Sequence, residues 1–103
     1  MTTQLKHIST PWGTSDHVQD IGRGILSVDT PSHGGYFVPT SLLPAIPEAH
    51  QKRAEYWSGS RNWYEEDCEW ASVAVAFPDL FDEKAREAAA QTIAWRDREG
   101  AAQ

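Results

Sequence analysis

The stretch Asn62-Trp63-Tyr64-Glu65-Glu66-Asp67-Cys68-Glu69-Trp70-Ala71 sets four carboxylates within five residues, between aromatic side chains. Read as the start of a helix, it is self-consistent. Asn62 is a favourable N-cap, and Glu65 follows three residues later, as in a capping box. Glu65, Glu66 and Asp67 then fall in the first turn, where each carboxylate gains ~0.3–1 kcal/mol against the positive end of the helix dipole. Downstream, Cys68, Ala71 and Val75 form one apolar stripe, and Trp70, Ala74 and Phe77 form a second beside it. Pro78 stops the pattern. The expectation is a helix over 63–77.

On the N-terminal side the pattern changes from helical spacing to alternation. Leu26 and Val28 alternate with Ser27 and Asp29, as in a half-buried strand. Gly22-Arg23-Gly24 supplies a tight turn back to a preceding strand over His17 to Ile21. After the loop signal Pro31-Ser32-His33-Gly34-Gly35, Tyr36 to Val38 reads as a third strand. The result is a three-stranded antiparallel meander over about 17–38, which needs a covering layer. Pro39, Pro44 and Pro47 forbid one helix across 39–57, leaving a short turn near Ser41–Leu43 and a helix over 47–57 ended by Ser58-Gly59-Ser60. A last helix is expected over 82–99, with Ala85, Ala88, Ala89 and Ile93 inward, Asp82 paired with Arg86, and Gly100 as its stop. The fold class is α+β, in one domain over 1–103 with residues 1–9 and 101–103 frayed.

Composition narrows the function classes. The chain has 103 residues, 40% of them hydrophobic and five of them Trp, enough for a core without metal or disulfide. Its one cysteine, Cys68, cannot form an internal disulfide. Neither a leader-like N-terminus nor a membrane-length apolar run is visible, so the chain reads as soluble and cytoplasmic. Net charge is −6, and no Lys or Arg lies between Asn62 and Glu83, where seven acids fall. Such a balance opposes direct nucleic-acid binding, which rewards clustered cations, and suits a protein partner with a basic surface. Plain solubility would also account for it.

Candidate chemistry centres on two segments. His33, in its glycine loop, is placed either as a catalytic base or ligand or as a loop anchor bonded to a carbonyl or carboxylate. Glu65, Glu66 and Asp67 with His33 would form an oxygen-rich set, but no spacing matches a recognised metal loop, and capping already accounts for acids there. Neither a metal nor a cofactor is expected. Cys68 on the apolar stripe reads as a small core residue, with a nucleophile paired to His33 or His50 as the alternative. Trp57 and Trp63 flank the Ser-Gly-Ser loop beside the acids Glu65, Glu66, Asp67 and Glu69, a combination common at protein–protein hot spots.

Pro11-Trp12-Gly13, Thr30-Pro31-Ser32-His33-Gly34-Gly35 and Trp63 to Ala71 together resemble a small family of unknown function carried on phages, plasmids and other mobile elements of proteobacteria. Ala45-Ile46-Pro47 and Ala74-Val75-Ala76-Phe77-Pro78 share in the likeness, which spans about residues 10–82. The resemblance implies a genetic setting, in which small acidic proteins include anti-CRISPR and anti-restriction inhibitors. The resulting expectation is a non-catalytic binding protein, monomer or homodimer, that docks Glu65, Glu66, Asp67, Glu69, Trp57 and Trp63 on a host defence nucleoprotein complex. The alternative is a small metal-dependent hydrolase using His33 with Glu65, Glu66 and Asp67. A self-assembling accessory subunit is a third possibility.

Overall fold

The computed structural model describes residues 4–5 and 7–101. Among the described residues seven strands form, β1 (Gln4–Leu5), β2 (Ser9–Thr10), β3 (Gly13–Thr14), β4 (His17–Gly22), β5 (Ile25–Asp29), β6 (Gly34–Phe37) and β7 (Trp63–Glu65). The helices are α1 (Glu48–Ser58), α2 (Trp70–Ala76) and α3 (Glu83–Ala101), with 3-10 turns at Thr40–Ala45 and Pro78–Leu80. Five strands make one antiparallel sheet in the order β1-β4-β5-β6-β7, while β2 and β3 pair as a separate hairpin. Helices on one face of an antiparallel sheet make this an α+β fold.

The expected meander is present as β4, β5 and β6. Its first turn closes on Arg23 and Gly24, at φ 56° and 83°. Positive φ at both central residues matches the right-handed twist of the two strands. The third strand starts two residues earlier than expected, at Gly34 rather than Tyr36. Gly35 lies there with almost no space above it. A Cβ would stand 2.4 Å from the Tyr64 carbonyl oxygen and 2.6 Å from the Trp12 ring. Trp12, in the turn between β2 and β3, thus plugs the sheet face away from the helices. It meets Trp63 edge-on at 5.7 Å, and Trp63 meets Phe37 at 5.1 Å.

The largest departure from expectation lies at 63–77. Residues 63–65 are a strand, 66–69 a turn, and the helix begins only at Trp70. β7 pairs with β6 through Gly35↔Glu65, Tyr36↔Tyr64 and Phe37↔Trp63. A cap at Asn62 would have been worth about 1 kcal/mol. Pairing instead buries Tyr64 completely and satisfies the open edge of β6. Burial of one large apolar side chain is worth about 1.5–3 kcal/mol. The Tyr64 hydroxyl, buried without a hydrogen-bond partner, offsets part of that, and the ladder with β6 tips the balance. Asn62 fastens the strand rather than capping a helix. Its side-chain amide donates to the Val38 carbonyl at 2.8 Å, and the Val38 amide donates to the Asn62 carbonyl at 2.8 Å.

Between sheet and helices lie Ile25, Val38, Ile46, Ala54, Tyr64, Val73 and Phe77. A second cluster, Ala71, Ala74 and Ala89, joins α2 to α3 with Trp70, Phe81 and Ile93 around it. The expected α2 stripes hold in part. Ala71, Ala74 and Phe77 are buried, but Val75 is 46% exposed. Starting the helix at Trp70 turns Ala71 to Ala74 inward between sheet and α3. α1 follows its expected span within one residue and ends at Gly59. α3 continues through Gly100 to Ala101, so the expected stop is not used. Ala89 is its buried alanine, whereas Ala88 is exposed. Asp82 accepts a hydrogen bond from the Ala85 amide at 2.8 Å, capping α3. Arg86 donates to the Phe81 carbonyl instead of pairing with Asp82.

Candidate binding cleft

The alternation of an extended chain decides where the acidic run points. Glu65 and Trp63 share the sheet face opposite Tyr64, and Asp67 in the following turn returns to the side of Glu65. Both carboxylates line a cleft of about 270 Å³. α1 supplies Arg53 and Trp57, one turn apart on one helix face. His33 enters from the β5–β6 loop. The Thr30 hydroxyl pins that loop, accepting from the His33 amide at 3.0 Å and donating to the His33 carbonyl at 2.7 Å. Anchoring expected of the imidazole is thereby done by Thr30 and the backbone, and His33 stays exposed.

The six residues expected at a partner surface divide among three places. Glu65, Asp67 and Trp57 meet at this cleft, with Trp57 58% exposed. Trp63 is half-buried in the aromatic group with Trp12 and Phe37. Glu66 turns to the opposite side. Its amide donates to the Gly34 carbonyl at 2.9 Å, and its carboxylate crowds Gly34 beside Asp29. Burial first, then the charges of Asp29 and Glu66, push the Tyr36 phenol up.

Glu69 reaches the cleft floor but is only 5% exposed. It pairs with Arg53 Nε, and Arg96 Nη1 lies 3.9 Å from the same oxygen. Arg96 also donates to the Cys68 carbonyl and to Ser72 Oγ, each at 3.0 Å. The Glu69 charge is therefore consumed inside the fold rather than offered at the surface. Arg96 was not anticipated, although Ala89, Ile93 and Arg96 fall at helical spacing on one stripe of α3.

With Arg53 balanced by Glu69, the cleft keeps a negative balance from Glu65 and Asp67. Burial raises the pKa of Glu65, as do a hydrogen bond with Asp67 and the charges of Asp67 and Glu69, while His33 opposes the shift. A folded carboxyl that holds its proton above the unfolded value makes stability fall as pH rises through that window. Glu65→Gln keeps the hydrogen bond and cannot ionise. It is expected to stabilise the protein at neutral pH by up to about 1 kcal/mol. Below the usual glutamate range it should bring no gain. Denaturant titrations at the two pH values check this, and an equal effect at both would mean that the two carboxyls do not interact.

A second cleft, of about 360 Å³, lies beyond the 66–69 turn and is lined by Ala88, Gln91, Thr92 and Trp95 of α3. Asp67 and Cys68 line both clefts. Cys68 is thus half-buried where the two clefts adjoin rather than a core residue. Among the described residues, no three His, Cys, Asp or Glu side chains converge to hold a metal ion. Among those residues, too, no helix is long and apolar enough to cross a membrane.

The molecule is a small α+β domain on a five-stranded antiparallel sheet, with an acidic, Trp-lipped cleft beside its edge strand. Residues 5–99 match the model of a family described as Domain of unknown function (DUF7007), and the chain belongs to that family. No curated protein and no solved structure matches it.

Proposed function

We propose that this is a non-catalytic binding protein that docks its acidic, aromatic-lipped cleft on a cationic surface of a protein partner. The observation that carries this reading is the meeting of Glu65 and Asp67 with the exposed Trp57 in one cleft. Tyr56, 79% exposed and edge-on to Trp57 at 5.0 Å, widens the aromatic lip. Exposed aromatics supply contact area at low entropic cost, and carboxylates steer a basic partner at long range. On the mobile-element resemblance, the partner is a nucleic-acid-processing complex of a host defence system, of CRISPR or restriction type, and the protein is its inhibitor.

The test is affinity capture from a host lysate carrying such systems, at rising salt. Capture of one defence complex is expected, weakening with salt and lost with Trp57→Ala or with Glu65→Gln and Asp67→Asn together. Glu66→Gln should leave it intact, because that side chain faces the other side of the sheet. Capture that ignores the cleft variants, or depends on Glu66 alone, would refute this use of the cleft.

A further inference from the structure

We infer that the two clefts form one groove, and that it receives an extended segment of the partner carrying an arginine beside Trp57 and an apolar residue beside Trp95. This rests on the docking reading above and names the chemistry that the groove selects. The clefts adjoin at the 66–69 turn, since Asp67 and Cys68 line both. Each end carries an exposed indole, Trp57 at 58% and Trp95 at 46%.

The two halves differ in chemistry. At the Trp57 end, Glu65 and Asp67 are left without a paired cation because Arg53 and Arg96 both turn to Glu69. A planar guanidinium can stack on the indole while donating to both carboxylates, which a lysine ammonium matches less well. At the Trp95 end there is no acid other than Asp67, and Ala88 leaves room for an aliphatic side chain. Gln91 and Thr92 line the same half, where they can bond the backbone of an extended chain. A cation placed between Glu65 and Asp67 also favours their ionised forms, so binding should release a proton and strengthen as pH rises through the raised Glu65 titration.

Acetylated and amidated peptides with Leu and Arg separated by one, two or three Gly are the probes, measured by calorimetry. Cys68, the one cysteine, reports occupancy of the junction between the clefts through its alkylation rate. At least one spacing should bind on the order of tenfold more tightly than its Arg→Glu counterpart and more tightly than its Arg→Lys counterpart. That peptide should slow alkylation of Cys68. Trp57→Ala should remove the preference for Arg over Lys, and Trp95→Ala should remove the contribution of Leu but not of Arg. Both tryptophans are exposed enough for these variants to fold.

Equal binding of Arg and Glu peptides, unprotected Cys68, or no binding at about millimolar concentration would overturn the inference. If a lysate partner is captured through Trp57 and Glu65 while Trp95→Ala changes nothing, the continuous groove fails and the docking reading stands. Peptide binding with no partner captured leaves the groove standing and removes the defence complex as its target.

Discussion

Glu69→Ala is expected to destabilise the protein by about 3–5 kcal/mol, the range for removing one partner of a buried ion pair. Two guanidinium groups depend on that carboxylate, and the Arg96 side chain is only 3% exposed. Burial, and then the charge of Arg53, already disfavour the charged form of Arg96, with Glu69 and Asp97 acting against them. Arg96 Nε is buried without a hydrogen-bond partner, which adds to the cost of placing the group there. Once Glu69 is gone, Arg96 keeps two neutral acceptors, Cys68 O and Ser72 Oγ, and the charge of Asp97, but loses the carboxylate that pairs with it. Urea unfolding checks the value. Combining Glu69→Ala with Arg96→Met should recover a large part of the loss, because the uncompensated charge leaves with the arginine. A single-variant loss under about 1 kcal/mol would mean the pair is screened like a surface contact.

Gly35→Ala is expected to be comparably severe, at about 3 kcal/mol or more, above the usual cost of overpacking. Neither obstacle can yield cheaply. The Tyr64 carbonyl oxygen, 2.4 Å from the added carbon, belongs to the ladder between β6 and β7, and the Trp12 ring at 2.6 Å is wedged beside Trp63. Circular dichroism melts of Gly35→Ala with and without Trp12→Ala separate the two obstacles. Little rescue is expected, since the carbonyl remains. Full rescue would assign the constraint to the indole alone and leave β7 free to shift.

These two sites show where sequence reasoning held and where it failed. The hairpin of β4 and β5 was legible because its alternation and its turn residues are local. α1 was legible because Pro47 and Gly59 mark its ends. β7 was not, because three residues are too few to show a period and its partner β6 is distant in sequence. The same residues satisfied a capping pattern, and only the unpaired edge of β6 decides against it. That one error redistributed the site. A helix would spread residues 65 to 67 over about half its circumference, whereas the strand and its turn send Glu66 away from Glu65 and Asp67. The cleft nevertheless contains His33, Trp57, Glu65 and Asp67, all singled out beforehand by residue type. Glu69 could not be read as internal without knowing that Arg96, near the other end of the chain, lies beside it. Trp95 and Cys68 were overlooked as groove residues because the turn that brings them together exists only once the strand forms.

The alternation along Glu65, Glu66 and Asp67 also bears on how a lineage with this fold can change. Neighbouring codons here are expected to answer to different selective pressures. Residue 66 can be rewritten around Asp29, Gly34 and Tyr36 while the cleft stays as it is, and residues 65 and 67 can change the cleft without disturbing that other side. One strand end and the turn after it thereby carry two evolutionary ledgers, and comparison of family members position by position should find 65 and 67 varying together while 66 keeps its own tempo.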